Sequence, residues 1–129
     1  MQEKPFSQIR VACVLDEFSY EGFRLEGEFL QLEPETWEKA VRQFNPDLLL
    51  VESVWEGKNR SWRHRFFSPI DTTLQDIVAW CKRRNIPTVF WNKEDPPNFR
   101  LFLNNARVFD YVLTTDINCI PKYKSSLPH

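Results

Sequence analysis

Thr88-Val89-Phe90-Trp91-Asn92-Lys93-Glu94-Asp95-Pro96-Pro97 is the stretch that decides the fold. Its first four residues are β-branched or aromatic, the composition of a buried strand. Within one residue the chain changes to an amide, a cation and two carboxylates. Two prolines follow, and neither can donate to a sheet ladder. A buried strand that ends in a stiff polar loop puts functional groups at the carboxyl edge of a sheet. Open α/β sheets bind their ligands at that edge.

Working outward, three other runs have the same form. Ile9 to Leu15 is apolar except for Arg10 and is closed by Asp16-Glu17; Leu48 to Val51 is closed by Glu52-Ser53; Asp110 to Thr115 is ended by Asp116. Glu28 to Leu32 alternates polar and apolar, which fits a half-exposed edge strand. Between these runs the period changes to that of helices. Pro34 to Phe44 places Trp37, Ala40, Val41 and Phe44 on one face, with Pro34 at the first position. Asp71 caps a helix reaching about Arg84, with Leu74, Ile77, Val78 and Cys81 inside and Lys82, Arg83 and Arg84 at its negative end. Asn98 caps another, with Phe99, Phe102, Leu103 and Ala106 inside, and Cys119 to Lys124 begins one more helical turn. Phe18 to about Arg24 reads as a loop with a short helix. The alternation predicts a three-layer, Rossmann-like α/β domain with a five-stranded parallel sheet and right-handed crossovers. The first, third and fourth strands are the most apolar, so order 2-1-3-4-5 is favoured, with 3-2-1-4-5 as the alternative.

The bulk numbers agree with one such domain over residues 1–129. At 42% hydrophobic and 15% aromatic residues the chain can build a full core. With only three glycines it has no glycine-rich phosphate loop. A formal net charge of −1 argues against general binding to nucleic acid or a membrane surface. Cys13, Cys81 and Cys119 are too widely spaced for a zinc cluster or a disulfide frame, and neither a metal nor a cofactor is expected. Their core-like positions suit a reducing cytosol. The polar lead-in of residues 1–8 lacks the apolar run of a signal peptide, and no segment approaches the roughly 18 apolar residues of a membrane span. A cytoplasmic location is expected, with the inner face of the membrane within reach only through other parts of a longer protein.

Parallel strands all end on the same side. Asp16-Glu17, Glu52-Ser53, Asn92-Lys93-Glu94-Asp95 and Thr115-Asp116 are therefore expected to share one rim. Trp55, Trp62, Phe18 and Tyr20 are near enough in sequence to offer flat stacking faces there. Several of these residues have two readings. Asp16 and Glu17 either serve a ligand or cap the local loop. Lys93 with Glu94 or Asp95 either meets a ligand or forms an internal ion pair. Neighbouring carboxylates can also push one pKa up and supply a general base. Trp55 and Trp62 either face a ligand or pin their own loop, while Trp37, Trp80 and Trp91 read as packing. The long stretch Val54 to Pro69 has no clear period, and loops of that length are usually functional or mobile. Its cations Lys58, Arg60, Arg63 and Arg65 either meet a phosphate or face solvent. His64 between arginines and the terminal His129 are weak catalytic candidates.

Several of these runs resemble a group of bacterial glycosyltransferases, similar to spore-maturation-type enzymes and to polymerases of surface polysaccharides. The resemblance is carried by residues 14–21, 46–57, 86–96 and 109–116 and by Cys119-Ile120-Pro121-Lys122-Tyr123, above all by Trp91-Asn92-Lys93-Glu94-Asp95-Pro96. It implies the amino-terminal, acceptor-side half of a GT-B enzyme of polysaccharide biosynthesis, inactive alone because the nucleotide-sugar-binding carboxyl-terminal domain is missing. On that implication a catalytic base comes from Asp16, Glu17, Glu94 or Asp95. Asn92, Lys93, Tyr20, Glu52, Ser53, Trp55, Trp62, Thr115 and Asp116 contact a glycan or polyol acceptor. A non-catalytic module binding a glycan or a protein is the competing expectation. A phosphoacceptor receiver domain is set aside, because that fold wants an aspartate at the end of its third strand and Glu52-Ser53 stands there.

Overall fold

A computed structural model of the chain describes residues 5–68 and 70–127. The first part of the lead-in, Pro69 and His129 lie outside the described residues. Five strands form one parallel sheet: β1 Arg10–Val14, β2 Glu28–Gln31, β3 Leu48–Glu52, β4 Thr88–Asn92 and β5 Tyr111–Thr114. Their order is β2-β1-β3-β4-β5, the favoured expectation, and the alternative order is excluded. The α-helices are α1 Glu17–Phe23, α2 Trp37–Phe44, α3 Thr73–Arg83, α4 Phe99–Ala106 and α5 Ile120–Ser126. Among the described residues no helix is long and apolar enough to cross a membrane.

Two helix starts differ from the sequence reading. The helix expected from Pro34 begins at Trp37. Thr36, at φ −130° and ψ 4°, is not helical, and its N–H closes a turn onto the Glu33 carbonyl. The N-cap of α3 is Thr72, not the expected Asp71, which sits one residue earlier and accepts the Thr73 N–H on its Oδ1 at 2.9 Å. Otherwise the apolar spacing is realised as written. Leu74, Ile77, Val78 and Cys81 of α3 are buried, and Trp80 with them.

The register sorts side chains onto two unequal faces, because paired residues of a parallel sheet point the same way. Ala12, Val14, Leu49, Val51 and Phe90 form the larger core with α2, α3, α4 and α5. α5 lies in the same layer as α4, the Tyr123 ring being 4.7 Å from that of Phe99. On the opposite face Val11, Cys13 and Leu15 pack with Tyr20 and Phe23 of α1 and with Phe29, Leu48 and Leu50. Phe23 stacks on Phe29 at 5.9 Å and meets the edge of Trp91 at 6.0 Å. Among the described elements, α1 is the one α-helix of that second layer. The three cysteines are buried and free.

Candidate functional site

The carboxyl edge is organised around Glu52, the last residue of β3. Its side chain is fully buried, which is rare for a carboxylate unless it is paired. Oε1 accepts the Asp16 N–H at 2.6 Å and lies 3.2 Å from the Lys93 ammonium. Oε2 accepts the Ser19 hydroxyl of α1 at 2.7 Å. Lys93 follows β4 directly, and its Nζ also reaches Asp16 Oδ2 at 3.3 Å. Its backbone N–H donates to Ser53 Oγ at 3.0 Å. The ends of β1, β3 and β4 are thus tied together by one ammonium and two carboxylates.

Asp16 has a second task. Its carboxylate accepts the backbone N–H groups of Trp55 at 3.3 Å, Glu56 at 3.1 Å and Gly57 at 2.9 Å. Burial works to raise its pKa, but those three N–H groups and Lys93 outweigh it, and the net displacement is downward. For Glu52 the balance is reversed: burial outweighs Ser19, the Asp16 N–H and Lys93, and the pKa is raised. Burial acts to lower that of Lys93, but Glu52 and Asp16 prevail and hold its proton more firmly than usual. Among the described residues no group of three His, Cys, Asp or Glu side chains is placed to hold a metal ion. The gap between Asp16 and Glu52 is filled by Lys93 instead.

The long stretch after β3 is built into the fold. Trp62 is 1% exposed and its indole N–H donates to the Leu32 carbonyl at 2.9 Å. Arg65 joins Glu35 at 2.8 Å and Asp71 at 2.9 Å. Gly57 has φ +72°, and a Cβ there would lie 2.6 Å from Trp62 Cδ1, so only glycine fits. Asn59, Arg60 and His64 also hold positive φ, a concentration of strained backbone of the kind found beside functional sites. Trp55 is 41% exposed. It rests on Phe67 and Phe102, each 5.5 Å away, and its indole N–H donates to Glu94 Oε1 at 2.9 Å. An open cleft of about 690 Å³ lies beside it, lined by Asp16, Glu17, Trp55, Glu56, Gly57, Asn59 and Arg60. It sits at the carboxyl ends of the paired strands β1 and β3, where the chain leaves toward α1 on one face and α3 on the other, the switch point of a 2-1-3-4-5 sheet.

A second cluster lies beneath the turn after β4. The Tyr123 hydroxyl donates to Asp95 Oδ2 at 2.8 Å and accepts from Asn92 Nδ2 at 2.9 Å. Thr114 Oγ1 donates to the same Asp95 oxygen at 2.5 Å. Burial, then the Asp95 contact, pushes the Tyr123 phenol well above its ordinary range.

The four turns do converge. Thr115 completes them, its hydroxyl donating to the Lys93 carbonyl at 3.4 Å. The individual placements differ from the expectations. Lys93 pairs with Asp16 and Glu52, not with Glu94 or Asp95: Glu52 ends β3, the neighbour of β4, and Asp16 follows β1, the next strand over. Trp62 offers no stacking face, since its ring is in the core. Asp95 is buried and Asn92 fully so, each facing Tyr123 rather than the cleft. Asp116 starts the short 3-10 helix Ile117–Cys119 by accepting the Asn118 N–H at 3.0 Å. Tyr20 lines a second cleft, on the β2 side with Phe29 and Gln31, and Glu17 lies on the rims of both this cleft and the one beside Trp55. Lys58 and Arg60 face Glu33 and Glu56 at 3.4 and 3.7 Å, so part of the basic loop is already matched. The sequence reading missed Ser19 and Tyr123, and it treated Glu52 as one rim residue among many. A glutamate directly after four apolar residues was the available signal.

No family model and no curated protein sequence matches the chain. Among solved structures the chain is similar to the N-terminal domain of the nisin resistance regulator NsrR, a lantibiotic response regulator. That likeness has a TM-score of 0.51 and 12% identity, and covers 93% of this chain and 97% of that one. It is similar also to the phosphorylated cyanobacterial phytochrome response regulator RcpA, with a TM-score of 0.49, 12% identity and 92% and 89% coverage. A response regulator protein from Burkholderia multivorans gives 0.45, 12%, and 95% and 97%. The first of these is a domain of a response regulator and not of a glycosyltransferase. The expected acceptor-side glycosyltransferase half is corrected on this finding, together with its polysaccharide role, its missing nucleotide-sugar domain and its glycan or polyol acceptor. The competing glycan- or protein-binding module gains no specific support either. What the first likeness establishes is the fold: a five-stranded parallel α/β domain of receiver type, order 2-1-3-4-5.

Proposed function

We propose that this domain is a receiver-like regulatory module held in one state by an internal ion pair, with no transferable phosphoryl group. The observation that carries the reading is the environment of Glu52. It stands at the end of β3, the place where a phosphoacceptor receiver wants an aspartate. It is fully buried, and both of its oxygens are engaged, by Asp16, Ser19 and Lys93. A carboxylate that accepts phosphorus must present a lone pair to an incoming donor from solvent, and Glu52 presents none. The same ion pair anchors Asp16, which in turn fixes residues 55–57. The module offers an effector domain a constant surface instead of a switched one.

The test is exposure of the chain to acetyl phosphate and to beryllofluoride, followed by intact mass and amide NMR. The expected result is no mass gain and no displaced resonances at the carboxyl edge. Glu52→Gln, which breaks the pair without phosphate, should displace the resonances of residues 53–57. An acyl phosphate formed on the unaltered chain would overturn the reading.

A further inference from the structure

The sheet has one half-covered face. β3, β4 and β5 carry Leu48, Leu50, Val89, Trp91, Tyr111 and Leu113 on the side away from Phe90, as the register pairs Leu50 with Val89, Val89 with Tyr111, and Trp91 with Leu113. On the other face Thr88, Phe90 and Asn92 of β4 are fully buried, whereas Val89 and Trp91 are only half buried. Tyr111 is 60% and Leu113 52% exposed. Parallel sheets are found with helices on both faces. Here α5, which follows β5, lies in the layer of α4, so the place beside α1 over β4 and β5 holds no helix among the described residues.

α1 carries the matching surface. Ser19 and Phe23 point to Glu52 and Trp91, and Tyr20 faces β2. Phe18 and Gly22, four residues apart, lie on the flank opposite Tyr20. Phe18 is 91% exposed, and Leu25, just past the helix end, is 79% exposed. A Cβ on Gly22 would meet nothing within 4 Å, so a second backbone can approach closely there. An apolar floor lacking a helix and a helix with an apolar outer stripe therefore stand side by side on one chain.

We propose that this face binds a second copy of the chain across a two-fold axis, each α1 lying beside the other and covering β4 and β5 of the opposite copy. Phe18 and Leu25 of one copy then rest on Tyr111 and Leu113 of the other, and the reverse contact follows by symmetry. Phe18, Leu25, Tyr111 and Leu113 alone offer on the order of 500 Å² per copy, against about 800 Å² per partner in a standard interface. The half-buried Val89, Trp91, Leu48 and Leu50 and the polar rim supply the remainder. The proposal does not depend on the state of Glu52, which lies at the carboxyl end of this face.

The experiment is sedimentation equilibrium of the chain over a concentration series reaching roughly 1 mM, with Phe18→Glu and Leu113→Glu variants beside it. Both side chains are exposed in the single copy, so circular dichroism should report intact folds. The expected result is a dimer whose dissociation constant rises at least about tenfold in each variant. Mixing a Phe18→Cys chain with a Leu113→Cys chain should give a disulfide between copies under oxidation. A chain monomeric throughout overturns the proposal and leaves the face to a helix of another protein. A dimer indifferent to both glutamates, or one that fails to form the mixed disulfide, overturns it equally.

Discussion

The Nζ of Lys93 lies 3.2 Å from Oε1 of Glu52, joining the end of β4 to the end of β3 inside the molecule. Removing one partner of a buried pair leaves an uncompensated charge. Lys93→Met should therefore lower the unfolding free energy by about 3–5 kcal/mol at neutral pH. Lys93→Met combined with Glu52→Gln should lose clearly less, because the fully buried carboxylate is gone and Asp16 keeps its three backbone N–H donors. Burial already raises the Glu52 pKa, so the single variant should recover part of its loss as the pH falls and Glu52 takes up a proton. Urea unfolding of the three chains at two pH values measures all of this.

Asp16→Asn addresses the other carboxylate. Asp16 has a pKa held below its ordinary value of 3.8, so its ionised form stabilises the fold. That contribution is complete above 3.8 and disappears as the pH falls through the lower, folded-state value. The variant should be less stable by about 1–3 kcal/mol at neutral pH, and the gap should close below pH 3.8. Melting curves of both chains across that range would show the convergence. A gap that widens in acid would be the opposite of the expected sign.

Much of this edge was legible before any coordinates. The strands were visible because apolar runs stopped abruptly at charges, and parallel strands then forced Asp16, Glu52, Lys93 and Thr115 to one side. Sheet order followed from the relative apolarity of the first, third and fourth strands. Pairing was not legible, because it depends on how far each side chain reaches across strands. Sequence proximity pairs Lys93 with Glu94 or Asp95, whereas its partners are 41 and 77 residues away. The segment around Trp62 has no period that marks a core residue; the ring is buried by packing against Phe66, and its indole N–H is satisfied by Leu32 just past β2. The resemblance to glycosyltransferases came from local words of sequence, and the fold comparison pointed elsewhere.

Gly57→Ala should destabilise the chain out of proportion to one methyl group. The backbone φ of +72° disfavours any side chain, and the new Cβ would meet the buried ring of Trp62 at 2.6 Å. A loss of about 1–3 kcal/mol is expected. Thermal unfolding measures it, and a Trp62→Leu background, which vacates that space, should reduce the effect of the same change.

The three thiols should be silent in the native state. Cys13, Cys81 and Cys119 are buried, and burial drives their pKa values upward, that of Cys81 to about 12. Thiolate is the reactive form. Labelling with a thiol reagent at neutral pH should therefore proceed at the rate of global opening and accelerate together at all three positions in denaturant. Rapid modification of any one of them in the absence of denaturant would contradict the burial described.

The indole of Trp62, seated in the core with its N–H on Leu32, has a consequence for how the chain comes apart. A segment of irregular backbone between β3 and α3 would ordinarily fray first and meet a protease first. With its midpoint fastened beneath β2's exit and its root on Asp16, residues 54–68 must instead melt in a single cooperative event with the sheet. A limited tryptic digest should spare Arg60, Arg63 and Arg65 for as long as the strands themselves survive.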